Sequence, residues 1–356
     1  MRRKTGEANR IPIERAMQIR YWPKLLPFRH PFTISHGTKT HQPSLIVALT
    51  AQGQTGYGEA PAIVYYHIPV EKMIQDLESK QAWLESFAFT EPERFWHYVH
   101  HLFPDNPFLV CALDIAAWDL FGKMMQKPLY AIWKLNPRQG PITDYTLGID
   151  RIPIMLQKMR EMPWPLYKIK LGTPDDLDMV RALRGQTTSR FRVDANGGWN
   201  LEQALETIPT LAQWNVELIE QPLAKGNDQE MEILFARSAL PLVADESCVS
   251  ESDVRSCAGR FHGINIKLTK CAGITPARRM IREARGLGLQ VMLGSMNETS
   301  IGSAALAHLS PLADFLDMDG PLLLGEDLAT GLVIDQGTVK IPEGPGLGVA
   351  VHGLDN

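Results

Sequence analysis

Phe191-Arg192-Val193-Asp194, Glu217-Leu218-Ile219-Glu220 and Leu242-Val243-Ala244-Asp245 are three short apolar runs, each ending in a carboxylate. The carboxylates lie 26 and 25 residues apart, about the length of one strand, one helix and two loops. Upstream, Tyr167-Lys168-Ile169-Lys170 closes a similar run with a lysine pair. Downstream, Lys267 follows Asp245 by 22 residues, and Asp317 and Asp319 close a later run. Charge that returns at the same place in successive β/α units converges in space. In a parallel barrel that place is the C-terminal face, where active sites are built.

The alternation extends on both sides of these runs. Strands are expected at Asp144–Ile149, Tyr167–Leu171, Phe191–Asp194, Glu217–Glu220, Leu242–Asp245, Gly263–Leu268, Gln290–Gly294 and Phe315–Asp319. Helical stretches such as Asp175–Arg184, Leu201–Trp214, Glu230–Ala236 and Pro276–Leu287 lie between them. Seven or eight β/α units over residues 140–320, with no nucleotide fingerprint, predict a small α/β barrel. Gly344-Pro345-Gly346-Leu347-Gly348 opens no helix and reads as a turn.

Residues 17–135 have a different grammar. Met17–Trp22, Phe32–His36, Ser44–Thr50 and Thr55–Glu59 are strand candidates of an antiparallel meander. Helical periodicity follows at Val70–Phe87, Glu93–Leu102 and Phe108–Met125. Strands and then helices, without alternation, predict an α+β capping domain. Residues 321–356 return to short strands, Leu332–Asp335 and Thr338–Ile341, expected to complete that cap. Residues 1–16 read as a poorly structured extension.

Composition excludes several classes. A net charge of −4 gives no basic footprint for nucleic acid. No apolar run approaches the roughly 18 residues of a membrane helix, and the basic N-terminus lacks a signal peptide's apolar core. Cys111, Cys248, Cys257 and Cys271 show neither zinc spacing nor a disulfide pattern, which suits a reducing cytoplasm. Oligomeric state is open to a homo-oligomer.

The chemistry follows from side-chain direction. Residues two apart on a strand share a face, so Lys168 points with Lys170, and Asp317 with Asp319. One strand-end lysine commonly reaches solvent. Two turned into a barrel need anions, because unpaired buried charge is costly. Asp194, Glu220 and Asp245, or an anionic substrate, would supply them. An acid at a strand end can cap the next helix, but repetition in three units points elsewhere. Three carboxylates without His or Cys suit a hard cation, Mg²⁺ or Mn²⁺. Lys267 comes from the side of the ring opposite Lys170, so a substrate carbon between them could lose a proton on one face and gain one on the other. Lys270 falls out of phase with Lys267 and is expected in the loop.

These motifs resemble the enolase superfamily and its muconate-lactonizing subgroup. The resemblance rests on Lys168-Ile169-Lys170, Asp194-Ala195-Asn196-Gly197-Gly198-Trp199, Glu220-Gln221-Pro222 and Ala244-Asp245-Glu246-Ser247. It continues through Ile264-Asn265-Ile266-Lys267, Gly294-Ser295-Met296 and the cap segment Ala112–Asp119. It implies a modified TIM barrel of (β/α)7β type and a lysine base with a divalent metal. Asp317-Met318-Asp319-Gly320-Pro321 is similar to the signature of the dipeptide epimerases, whose two aspartates hold the substrate's α-ammonium. The resemblance implies Lys170 and Lys267 as the acid/base pair and Lys168 as a stabiliser of the enediolate with Mg²⁺. Asp194, Glu220 and Asp245 become the metal ligands, and Thr146, Ser295, Met296 and Asn297 lie near the substrate backbone. The implied reaction is inversion of the C-terminal α-carbon of a dipeptide, of Ala-Xaa type.

The chain departs from the pattern in one loop. Relatives that prefer a glutamate side chain carry an arginine where this chain has Gly37, with Arg29 and His36 nearby. The loop Ala60–His67 is apolar and aromatic, which suits a small or apolar second residue as well as interface packing. Three other readings stand beside the epimerase. One is o-succinylbenzoate synthase or muconate cycloisomerase, which needs no ammonium clamp. Another is a Schiff-base lyase, and the third a non-catalytic barrel.

Overall fold

The computed structural model describes residues 16–34 and 37–354. The expected extension falls outside these apart from residue 16, and His36 falls outside as well. A three-stranded antiparallel sheet opens the chain: β1 (Gln18–Ile34), β2 (Gly37–Ala51) and β3 (Gln54–Pro61), in the order β1-β2-β3. The first two strand candidates are therefore one strand. Pro23, Pro27 and Pro31 fall between the two candidates, but β1 is an edge strand, where proline is tolerated. The register slips only between Pro27 and Phe32.

Helices α1 (Val70–Glu85), α2 (Pro92–Leu102) and α3 (Pro107–Met124) follow within a residue or two of expectation. The approach of α3 to the sheet explains the Gly56-Tyr57-Gly58 sequence of β3. A Cβ at Gly56 would overlap the carbonyl of Ala116, and one at Gly58 that of Ala112. Glycines on the strand and alanines on the helix let the two backbones touch.

After the one-turn helix α4 (Leu129–Ile132) come eight parallel strands. They are β4 (Tyr145–Leu147), β5 (Leu166–Lys170), β6 (Arg190–Asp194), β7 (Val216–Glu220), β8 (Leu242–Ala244), β9 (Gly263–Lys267), β10 (Gln290–Gly294) and β11 (Phe315–Asp317). They pair in sequence order, and a parallel bridge between Thr143 and Leu316 brings the last strand back to the first. The barrel expectation holds. Outer helices α5 (Ile152–Glu161), α6 (Asp176–Arg184), α7 (Leu201–Gln213) and α8 (Asp228–Arg237) separate the early strands. The later connections use α9 (Val254–Cys257), α10 (Leu268–Cys271), α11 (Ile274–Gly286) and α12 (Ser300–Leu309).

The two-residue period divides the barrel strands cleanly. Ile169, Val193, Ile219, Ile264, Val291 and Leu293 face outward into the main apolar core. Leu218, Val243 and Met292 pack inside the ring with Phe315. Above that plug, register partners form a polar row: Lys170 opposite Asp194, Asp194 opposite Glu220, Lys267 opposite Gly294, and Gly294 opposite Asp317.

The cap is fastened to the barrel by buried hydrogen bonds. Glu59 at the end of β3 accepts from the Thr299 amide at 3.1 Å and hydroxyl at 2.5 Å, and from the Gly302 amide at 3.1 Å. Asp114 of α3 accepts from the Thr275 amide and hydroxyl, each at 2.8 Å. The Trp96 indole donates to Ala272 O at 2.8 Å. The C-terminal segment also reaches α3, where Asp119 accepts from the Leu347 amide at 2.8 Å.

Candidate active site

The polar row places Asp194, Glu220 and Asp245 with a carboxylate oxygen of each within 4.8 Å of the others, all buried. Four ammonium groups meet them. Lys168 Nζ lies 3.1 Å from Asp194 and 2.7 Å from Glu220. Lys170 Nζ is 2.6 Å from Asp194, and Lys267 Nζ is 2.8 Å from Asp245. The fourth is Lys270, which was expected in a loop. It lies instead on α10, directly after β9, and is buried. The one-turn helix swings it inward, where it pairs with Asp245 Oδ1. It also donates to Asp245 O at 2.7 Å, and to Cys248 O and Asn265 O at 3.1 Å each. Strand phase could not find it, because the strand ends at Lys267.

These contacts decide which acids stay charged. Burial works to raise Asp194, but Lys170 and Lys168 outweigh it and bring the group down to about 2. Asp245 is likewise held well below the usual carboxylate range, against its burial, by Lys267 and Lys270. Glu220 is raised by burial and by Asp194. Burial works to lower Lys168 and Lys267, yet the acids around them carry both upward. Asn265 donates to Glu220 Oε1 at 2.8 Å, and a Cβ at Gly294 would overlap that asparagine. The glycine keeps room for the side chain that aims Glu220. The triad thus fits a hard divalent cation by donor type, spacing and charge.

A second acidic group adjoins the first. Asp144, Asp317 and Asp319 also lie within 4.8 Å of one another, all buried. Asp317 and Asp319 were expected as neighbours on one strand face, open to a cation. The strand ends at Asp317, and Asp319 stands at the head of the short turn α13 (Gly320–Leu323), so a turn rather than a pleat brings them together. Asp317 is already paired with Lys168 at 2.6 Å. Asp319 accepts the Thr146 amide at 2.6 Å and is pushed up to about 7, first by burial and then by Asp317. Sequence reasoning missed Asp144. It precedes β4 two residues before Thr146, a same-face spacing that could have pointed to it. Arg192 holds it at 2.8 Å.

One cavity unites these groups. Lys168, Lys170, Lys267, Asp245, Asp317, Asp319 and Thr146 line it, as do Ser295, Met296 and Asn297 from the loop after β10. Phe32, Lys39, Ile63, Tyr65 and Tyr66 of the cap, with Asn196, Glu246 and Leu323, complete the wall. Arg29 is not in that lining. It is exposed, borders an adjoining cavity, and donates its Nε to Leu324 O at 2.9 Å.

A barrel whose strand ends gather an oxygen triad and opposed lysines under an α+β cap defines an enolase-type two-part protein. Residues 16–133 match the N-terminal domain of mandelate racemase / muconate lactonizing enzyme, and residues 155–355 match the enolase C-terminal domain-like family. An L-Ala-D/L-amino acid epimerase from Maribacter sp. is 47% identical over 94% of this chain and 100% of its own length. Its counterpart from Flavobacterium johnsoniae is 45% identical over 92% and 97%. Among solved structures, a substrate-liganded L-Ala-D/L-Glu epimerase from Bacillus subtilis superposes with a TM-score of 0.89, at 27% identity over 95% of this chain and 99% of that one. A Cytophaga hutchinsonii dipeptide epimerase complexed with Mg and D-Ala-L-Val gives the same TM-score at 26% identity, over 95% and 97%. The chain belongs to the dipeptide epimerase family of the enolase superfamily.

Proposed function

We propose that this chain is a Mg²⁺-dependent epimerase that inverts the C-terminal α-carbon of Ala-Xaa dipeptides. The observation that carries the reading is the placement of Lys170 and Lys267. They stand on β5 and β9, four strands apart in the eight-stranded ring, and line one cavity. Each is paired to a different end of the same carboxylate triad. The names of the relatives and the dipeptides in the neighbouring complexes support the substrate class.

Asp194, Glu220 and Asp245 would hold the metal. When bound, the cation supplies a positive charge that fixes the substrate carboxylate and favours the negative charge developing there. The remaining work is done by side chains. Asp317 and Asp319 receive the substrate's ammonium group, which fixes the dipeptide's direction across the cavity. One lysine, as the free amine at Nζ, takes the α-hydrogen as a proton, and the C–H electron pair moves toward the carboxylate. The other, as ammonium, gives a proton to the opposite face. The reverse epimer exchanges their parts. Lys168, within reach of both acidic groups, adds a fixed positive charge beside the developing negative one.

The acid cluster around Asp319 favours this reading over a synthase or cycloisomerase, neither of which has a cation to place there. A Schiff-base lyase needs no divalent cation, so the buried carboxylate triad beside Lys170 and Lys267 speaks against that role. Four buried cysteines with no disulfide suit a cytoplasmic protein, and no helix among the described residues is long and apolar enough to cross a membrane. The test is proton NMR of a dipeptide panel in D₂O with Mg²⁺. Deuterium entering the C-terminal α-position with formation of the epimer supports the reading. Absence of exchange in every dipeptide would overturn it.

A further inference from the structure

We propose that Lys39 sets the substrate preference of this site, its ammonium receiving a carboxylate on the side chain of the residue being inverted. The inference rests on the epimerase reading and names the dipeptide class, those with an acidic second residue.

Lys39 lies on β2, cross-strand from Phe32, where the β1–β2 hairpin reaches the cavity. It differs from the other lysines of that cavity. Lys168, Lys170 and Lys267 are each paired to a carboxylate within 3.1 Å, whereas Lys39 has no hydrogen-bond or ion-pair partner among the described residues. It is partly buried all the same, and burial draws its pKa down with no anion to oppose the shift. An ammonium taken from water without a counter-ion is costly. A ligand carboxylate would offset that cost.

Geometry says which part of the ligand arrives there. As the α-carbon flattens during proton transfer, its three remaining substituents lie in a plane with one lysine above and the other below. The carboxylate points to the triad, and the amide nitrogen points toward Asp317 and Asp319, which hold the ammonium beyond it. The third direction belongs to the side chain. The lining left for it is mostly the cap's, Phe32, Lys39, Ile63, Tyr65 and Tyr66, with Asn196, Glu246 and Leu323 beside it. Phe32, Ile63 and Tyr66 offer a wall for methylene groups, and Lys39 is the one cation in the set. That combination suits a short stem ending in a carboxylate, a glutamate or aspartate side chain. The aromatic loop alone had suggested a small or apolar residue. Lys39 changes that expectation, two positions beyond the Gly37 that stands in place of the family's arginine. Arg29 is the rival cation, in the adjoining cavity.

The experiment compares kcat/KM for L-Ala-L-Glu with that for L-Ala-L-Gln, its neutral isostere, in the Mg²⁺-loaded wild type, K39M, K39R and R29M. The wild type should favour the glutamate dipeptide by about tenfold or more. K39M should bring the ratio to near one, K39R should retain the preference, and R29M should leave the ratio as it is. A wild-type ratio near one overturns the inference, as does a ratio that survives K39M or collapses in R29M. In those cases exchange with other dipeptides leaves the epimerase reading standing. No exchange by the wild type with any dipeptide removes both.

Discussion

The two acidic clusters of the cavity each gather three carboxylates within 4.8 Å, but differ in their readiness for a cation. Asp194, Glu220 and Asp245 are met by Lys168, Lys170, Lys267 and Lys270. In the other cluster Asp317 pairs with Lys168 and Asp144 with Arg192, while Asp319 is met only by Thr146, through its amide and its side chain. The first cluster keeps two of its acids ionised well below neutral pH. In the second, Asp319 reaches about 7 and Asp144 is also raised, by burial and by Asp317, while Lys168 holds Asp317 down against its burial. A cluster held permanently charged suits a resident divalent ion. A cluster that keeps a proton until a cation arrives suits a single positive charge that comes and goes with each turnover.

The largest effect should come from the lysines that join the metal cluster to the reacting carbon. Lys170→Met and Lys267→Met should each lower epimerisation by about 10²–10⁴-fold, the usual worth of a general acid or base. Each variant should still exchange the α-hydrogen of one epimer with solvent, without inversion, and the two variants should select opposite epimers. If NMR finds both exchanging the same epimer, the lysines do not work from opposite faces.

Next comes a test of the division between the clusters. Asp319→Asn should lower kcat/KM for free dipeptides by about 10²-fold, the scale of losing one partner of a buried charge pair. Calorimetric Mg²⁺ titration should instead single out Asp245→Asn as the variant that loses the metal, and chelation should stop exchange until Mg²⁺ or Mn²⁺ returns. Loss of Mg²⁺ binding in Asp319→Asn would merge the two clusters into one site and break the comparison.

Lys270 sharpens the first half of it. Three carbonyls fix its ammonium, so its pairing with Asp245 aims the carboxylate as well as neutralising it. Lys270→Met should weaken Mg²⁺ binding by about tenfold, the low end for a group that supports a metal ligand. Tighter binding in that variant would mean that the lysine competes with the metal rather than serving it.

The difference between the clusters also explains what could be read from the sequence. Asp194, Glu220, Asp245, Lys170 and Lys267 were legible because strand period and β/α spacing place them, and the barrel enforces both. Asp194 and Glu220 end their strands as register partners and Asp245 directly follows β8, so the three carboxylates still meet in one row. Lys270 and Lys39 were not legible on those terms, and for Asp144 strand period gave its face but not its neighbours. Lys270 depends on a one-turn helix that reverses its phase, Asp144 on the bridge that closes the ring, and Lys39 on how a hairpin lies over a mouth formed about 130 residues later in the chain. The proline-rich β1 was misread for a related reason, since edge position is a property of the assembled sheet. Local pattern fixes residues within a unit, and contacts between units fix the rest.

The last test probes the reserve proton directly. Asp319 must release its proton to accept an ammonium, and its free-state value is about 7. Dipeptide affinity should therefore rise with pH through the range below 7, by up to tenfold per unit while the acid is protonated. Above the amino group's own pKa, about 8, the ligand loses its charge and affinity should fall again. Binding measured by calorimetry should peak between these limits, and Asp319→Asn should lose the acidic limb while keeping the alkaline one. An affinity flat from pH 5.5 to 7 would mean that Asp319 is ionised before the ligand arrives. The second cluster would then be a fixed anion like the first, differing only in the lysines around it.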